Sequence, residues 1–189
     1  MIAKYATSCG TCKGRIAPGE NISKSGTGWA HDACGATALA QPIAPEVPHG
    51  TTEVYTDGAC RGNPGPGGWG WAVPDGPQGS GHDPATTNQR MEVRAALEAI
   101  RAIAGPLVVV SDSTYVVNCF KNNWWSGWRA RGWVNTAKKP VANRDLWEPL
   151  IDLVEARGDV TFRWVKGHSG HPMNDLVDQL AVEASHQEA

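Results

Sequence analysis

At 189 residues, 41% of them hydrophobic, the chain can bury one ordinary core and still carry a small extra module. Seventeen basic against nineteen acidic side chains leave a net charge of −2, so nucleic-acid binding by bulk charge is excluded and any such surface must be a local basic patch. No apolar run approaches the roughly 18 residues of a membrane span, and residues 1–20 lack a signal-peptide apolar core. The expectation is a soluble, cytoplasmic protein with no membrane partner.

Residues 1–37 form the first unit. Three of the five cysteines fall here, an odd count that argues against a disulfide framework and for metal. Cys9 and Cys12 make one pair; His31 and Cys34 make another after a short glycine-rich stretch. This donor set and spacing fit a tetrahedral structural zinc ion. So short a unit cannot bury enough core alone, and metal would supply the folding energy. The competing reading is a redox CxxC with an unrelated histidine. The pattern resembles the Cys3His zinc ribbons and treble-clef fingers. Residues 38–50, ALAQPIAPEVPHG, are alanine- and proline-rich without periodicity and read as a semi-extended linker.

The second domain spans residues 51–189. Its expected first strand, 52–57, ends on Asp57 beside a turn of glycines and prolines; a second strand follows at 68–73. A third, within 77–83, is poorly marked. TTNQRMEVRAALEAIRAIAG carries Met91, Ala95, Leu97, Ala99, Ile100 and Ile103 at helical spacing, and Gly105-Pro106 stops the helix. LVVVSD, 107–112, reads as a buried apolar run of the parallel-strand type and ends on Asp112. Then come a helix over STYVVNCFKNNW, a tryptophan- and base-rich segment, a helix near 143–156, a strand near 159–165, and a last helix opened by Pro172.

Four acids could meet in this arrangement. Asp57 and Asp112 end neighbouring strands, Glu92 lies near the start of a helix packed on the sheet, and Asp178 lies on the last helix. Each has a bland alternative: a turn acid, the N-cap of the next helix, a first-turn dipole partner and a solvated helix acid. Converging carboxylates repel and titrate abnormally unless a cation lies between them. An oxygen-only ligand set favours Mg2+ or Mn2+. Two such ions suit phosphodiester cleavage, one activating water and the other stabilising the leaving oxygen.

The stretches YTDGACRGNPGPGGWGW, TTNQRMEVRAALEAI, VVVSDSTYVVN, TAKKPVANRDLW and WVKGHSGHPMNDLVDQLA resemble type 1 ribonuclease H, in that family's order. The resemblance implies an α/β ribonuclease H-like fold, with a five-stranded mixed sheet in order 3-2-1-4-5 flanked by helices. It implies an endonuclease that cuts the RNA strand of RNA–DNA hybrids, leaving 5′-phosphate and 3′-hydroxyl ends. It makes Asp57, Glu92, Asp112 and Asp178 the metal-binding catalytic acids and His168 the group that assists proton transfer or product departure. Asn88 and Gln89 would enter the hybrid's minor groove, and the backbone around Gly58, Ala59 and Cys60 would meet RNA 2′-hydroxyls. Thr87 and Asn143 would hold a DNA phosphate.

Trp124, Trp128, Arg129, Arg131, Lys138 and Lys139 correspond to the family's basic protrusion. Flat apolar faces interleaved with cations suit a phosphate track. Trp133 and Trp147 are expected in the core. Two departures stand out: the segment before the Glu92 helix is short and polar, so its strand is expected to be stunted, and the cysteine-rich module is not the hybrid-binding domain of some relatives. That module is expected to bring in further nucleic acid or a protein partner. The chain is expected to act as a monomer. Competing functions are a catalytically silent hybrid- or DNA-binding adaptor and a DNA nuclease or transposase of related fold.

Overall fold

A computed structural model describes residues 2–10, 13–25, 28–31 and 50–187. The chain divides into two compact units, Met1–Glu46 and Val47–Ala189.

Among its described residues the first unit holds two short antiparallel strand pairs. β1 (Thr7–Ser8) pairs with β2 (Arg15–Ile16), and β3 (Ile22–Ser25) pairs with β4 (Gly28–His31). Among its described residues, Ala3, Cys9, Ile16, Ile22 and Ala30 form a small buried cluster. The Gly10 amide donates to the Trp29 carbonyl at 2.8 Å, which sets the turn after Cys9 against the strand that ends on His31. Of the expected zinc ligands, Cys9 is buried, and His31 Nε2 lies 3.1 Å from the Arg15 carbonyl oxygen. Cys12, Cys34 and all of the linker before Gly50 lie outside the described residues.

The second unit is one five-stranded sheet with helices on both faces. Its strands are β5 (Thr52–Cys60), β6 (Gly65–Ala72), β7 (Gln78–Thr86), β8 (Leu107–Ser111) and β9 (Val160–Trp164), in spatial order β7-β6-β5-β8-β9. The three strands joined by tight turns are antiparallel; β8 and β9, reached through helices, run parallel to β5. The helices are α1 (Asn88–Ala102), α2 (Thr114–Lys121), α3 (Trp124–Ala130), α4 (Arg144–Arg157) and α5 (Pro172–Ser185).

Apolar residues of α1, α2 and α4 share a core with Val54, Leu107 and Val109 on one face of the sheet. On the other face, Val177 of α5 joins Tyr55, Ala72, Val108 and Val110. β8 is covered on both sides, and all five of its residues are buried, as its unbroken apolar run requires. Trp147 is fully buried and donates its indole N–H to the Tyr115 hydroxyl at 2.8 Å; Trp133 is also buried.

Three expectations need correction. β5 does not stop at Asp57 but runs on to Cys60, paired with β6. The turn therefore begins at Arg61. The strand expected to be stunted, β7, is nine residues long. Its own sequence, QGSGHDPAT, offers little apolar surface, but Gly79 and Gly81 lie opposite Trp71 and Trp69 of β6. A Cβ on either glycine would stand within 2.8 Å of an indole, so the tryptophans cover β7 from the next strand. Third, the tryptophan-rich segment contains a further short helix, α3.

Candidate active site

The site grows from the register of two strands. Tyr55 of β5 lies opposite Val110 of β8 in the last parallel pair. Asp57 and Asp112 each stand two residues further on, at matching heights. β8 has ended there, whereas β5 continues against β6, where Asp57 faces Gly70. Parallel α/β sheets place ligands at this carboxyl end of their strands.

Glu92 arrives from α1 because the helix comes very close to the sheet. A Cβ on Gly58 would lie 2.3 Å from the Glu92 amide nitrogen and 2.5 Å from the Met91 carbonyl carbon. Only glycine permits this approach. One carboxylate oxygen each from Asp57, Glu92 and Asp112 lies within 4.8 Å of the others.

The geometry decides against three of the bland alternatives. Ser113, not Asp112, caps α2, its Oγ accepting from the Val116 amide at 3.4 Å. α1 begins at Asn88 and has no acid in its first turn, so Glu92 is not a dipole partner; Thr87 is the N-cap. Asp57 is 7% exposed within a strand and is no turn acid.

Burial raises the Asp57 carboxyl to about 7, with the charges of Asp112 and then Asp178 adding to it; the Gly58 amide, donating to Oδ1 at 2.7 Å, works the other way. Burial also lifts Glu92 well above the carboxylate range, again with help from Asp57, Asp112 and Asp178. Asn88 Nδ2 donates to Glu92 Oε1 at 3.2 Å, while the buried Oε2 has no partner. Among the described residues, no Lys, Arg or His forms an ion pair with any of these acids. A hard divalent cation suits this donor set: all oxygen, excess negative charge and an orphaned buried oxygen.

Asp178 sits half-buried on α5, close enough to raise its neighbours but outside the compact triad. His168 is exposed, with φ 49, in the loop between β9 and α5. That loop touches the site through Gly167, where a Cβ would meet Asp112 Oδ2 at 2.3 Å.

Several supporting residues had no individual signal in the sequence. Asn174 is buried and donates to Asp112 Oδ2 at 3.3 Å. His171, the N-cap of α5, stacks on Tyr55 with ring centroids 5.1 Å apart. The Tyr55 hydroxyl lies 3.4 Å from Glu53 Oε2, and Arg163 clamps Glu53 with two 2.7 Å bonds. This chain fixes the far end of the His168 loop to β5, on the face that carries Asp57. Tyr55 and His171 are 116 positions apart, so no local pattern could have revealed the pair.

The expected substrate residues are spread around this centre. Gln89 is exposed beside Asn88 at the start of α1. The Cys60 thiol points into its own turn, 2.6 Å from the Gly62 carbonyl oxygen. Asn143 precedes α4 in a left-handed conformation, φ 60. Trp124, Lys138 and Lys139 are exposed. Trp128 leans edge-on against Trp147 at 5.5 Å, and Arg129 pairs with Asp152 and Glu155, so both are engaged within the protein. Arg131 is exposed and bonds the Val134 carbonyl at 3.1 Å.

A mixed sheet with a buried all-carboxylate cluster at the end of its parallel strands defines an α/β fold of the metal-dependent hydrolase class. The RNase H family model matches residues 49–186, and the chain belongs to this family of metal-dependent endoribonucleases. Ribonuclease H of Erythrobacter litoralis is 52% identical over 138 residues, covering 70% of this chain and 94% of that protein. Ribonuclease HI of Caulobacter vibrioides is 50% identical over 139 residues, covering 71% and 92%. Among solved structures, LC9-RNase H1, a type 1 RNase H with the type 2 active-site motif, matches with a TM-score of 0.61 at 34% identity and covers 74% of both chains.

Proposed function

We propose that the protein hydrolyses the RNA strand of RNA–DNA hybrids with two divalent ions, Mg2+ or Mn2+, leaving 5′-phosphate and 3′-hydroxyl ends. The observation that carries this is the meeting of Asp57, Glu92 and Asp112 within 4.8 Å, unneutralised, in a domain of this family. Asp57, Glu92, Asp112 and Asp178 are the residues that would hold the ions. When bound, the ions supply charge that activates the attacking water and stabilises the leaving oxygen. Asn88 and Asn174 orient Glu92 and Asp112 by hydrogen bonds. His168 is the mobile proton carrier, its exposed turn leaving the imidazole free to swing between the reacting group and solvent.

The hybrid lies across the start of α1, where Asn88 and Gln89 take the minor groove, Thr87 and Asn143 hold a DNA phosphate, and the backbone of Gly58 and Cys60 faces RNA 2′-hydroxyls. Trp124, Trp128, Arg129, Arg131, Lys138 and Lys139 form the basic protrusion. Engaging Arg129 with phosphate would exchange its partners Asp152 and Glu155. The N-terminal unit is held by zinc on Cys9, Cys12, His31 and Cys34. The small apolar cluster of its described residues and the Gly10–Trp29 bond between its two strand pairs support that reading.

Labelled hybrid, double-stranded DNA and double-stranded RNA incubated with Mg2+ test the activity, with Asp57→Asn beside the unaltered chain. Cleavage of hybrid RNA alone, lost in the variant, is the expected result. Binding without cleavage in either metal would replace this reading with the silent adaptor.

A further inference from the structure

The family match begins at residue 49, so the described part of the N-terminal unit lies outside it. This unit carries a feature that zinc does not account for. Ile2, Tyr5, Ile22 and Trp29 line an open apolar trough of about 460 Å³, with Lys4 in its wall. That volume falls within the roughly 300–1,000 Å³ of sites that take small rings and side chains. Tyr5 is 81% exposed, and Ile2 and Trp29 are 61% and 37% exposed. Small units rarely leave two aromatic rings and an isoleucine in water together without a use.

The register adds a second cation. Lys24 of β3 is the cross-strand partner of Trp29 on β4, so the two side chains leave the same face of the hairpin as neighbours. Residues 1–37 contain four basic side chains, Lys4, Lys13, Arg15 and Lys24, against two acids, Glu20 and Asp32. Their net charge is therefore +2, whereas the whole chain carries −2. Two of the four cations, Lys4 and Lys24, lie beside the exposed rings.

From this placement we infer that the trough of Tyr5, Trp29, Lys4 and Lys24 binds a single-stranded stretch of nucleic acid. Unpaired bases stack on the two rings while the lysines meet the phosphates. A base-paired duplex would not use the rings, because its bases are already stacked; the occupant is an unpaired strand. The inference deepens the proposed function by giving the module its own ligand, and it requires no catalysis.

The test uses the full chain carrying Asp57→Asn, with zinc present, and measures fluorescence anisotropy of a labelled single-stranded oligonucleotide. Tyr5→Ala with Trp29→Ala should weaken binding about tenfold or more, the scale of one or two lost base stacks. Trp29→Phe should retain most of the affinity, because a flat ring remains; a variant that had merely unfolded the module could not show this. Lys4→Gln with Lys24→Gln should flatten the dependence on log salt by roughly 0.7 per lysine. Unchanged affinity in the double aromatic variant overturns the inference and leaves the trough to a protein. Hybrid cleavage by the chain with Asp57 intact is followed in parallel. Loss of that cleavage would count against the catalytic reading and not against the trough.

Discussion

Two carboxylates on the same face of β5, four residues apart, have opposite fates. Glu53 meets the Arg163 guanidinium in a bidentate pair, and that bond holds its carboxyl below the usual range. Asp57 meets Asp112 and Glu92, and burial lifts it to about 7, with the charges of Asp112 and then Asp178 adding to the shift. Both could have been neutralised by the same means, yet only the one at the sheet end is left with like charges. An acid with a guanidinium partner has a structural explanation. An acid packed among acids, in a fold that brings each there by a separate element, implies a cation from solution.

The largest expected effect comes from removing the unneutralised acid. Asp57→Asn should lower turnover on hybrid by roughly 10³-fold or more, above the range for losing one preorganised stabilising group. In EDTA near neutral pH the same variant should melt a few degrees higher than the unaltered chain, because a repelling charge has gone. A pure scaffold acid would show the reverse.

Next in size is Gly58→Ala. The methyl must displace the backbone of Met91 and Glu92, so roughly 1–3 kcal/mol of stability should be lost in urea unfolding, as for other overpacked sites. Activity should fall beyond what reduced folding explains, because Glu92 moves with the helix.

His171→Ala should lower kcat about tenfold with little change in KM, since it frees the end of the His168 loop without touching substrate. His171→Phe keeps the stack on Tyr55 and should recover part of the loss. Equal damage in the two variants would contradict a positioning role.

The smallest effect is at the other end of the comparison. Glu53→Gln should cost roughly 0.5–1 kcal/mol, the discounted value of a partly exposed ion pair. Because the folded pKa of Glu53 is lowered, its contribution is present above the unfolded value of about 4 and is lost as pH falls through the folded value. Thermal melts of the variant and the unaltered chain should therefore converge in acid.

The comparison also explains what the sequence could reveal. The meeting of Asp57, Glu92 and Asp112 was legible because each sits at a recognisable place: a strand, a helix near its start and a strand exit. The conflict between them was legible from charge alone. The strand order came with the family resemblance, since polar β7 carries almost no signal of its own. Its cover is two tryptophans on β6, supplied across the sheet to Gly79 and Gly81. β5 looked shorter than it is because Gly58, Ala59 and Cys60 carry turn chemistry. Gly58 serves instead to admit α1, a role visible only once the helix is in place. Tyr55 and Asn174 were missed as supports because their partners lie far along the chain.

Thermal melting of the metal-free chain across pH, with and without Mg2+, shows whether the repelling acids await a divalent cation. Asp57 has its folded pKa raised above the unfolded value of about 4, so its favourable contribution is complete below pH ~4 and disappears as pH rises through about 7. Metal-free stability should therefore carry a penalty that grows over that interval, and Mg2+ should raise the melting point far more at about pH 8 than at about pH 5. Asp57→Asn should remove most of the Mg2+ response. A melting point that ignores Mg2+ at about pH 8, or a response that survives Asp57→Asn undiminished, would contradict the account.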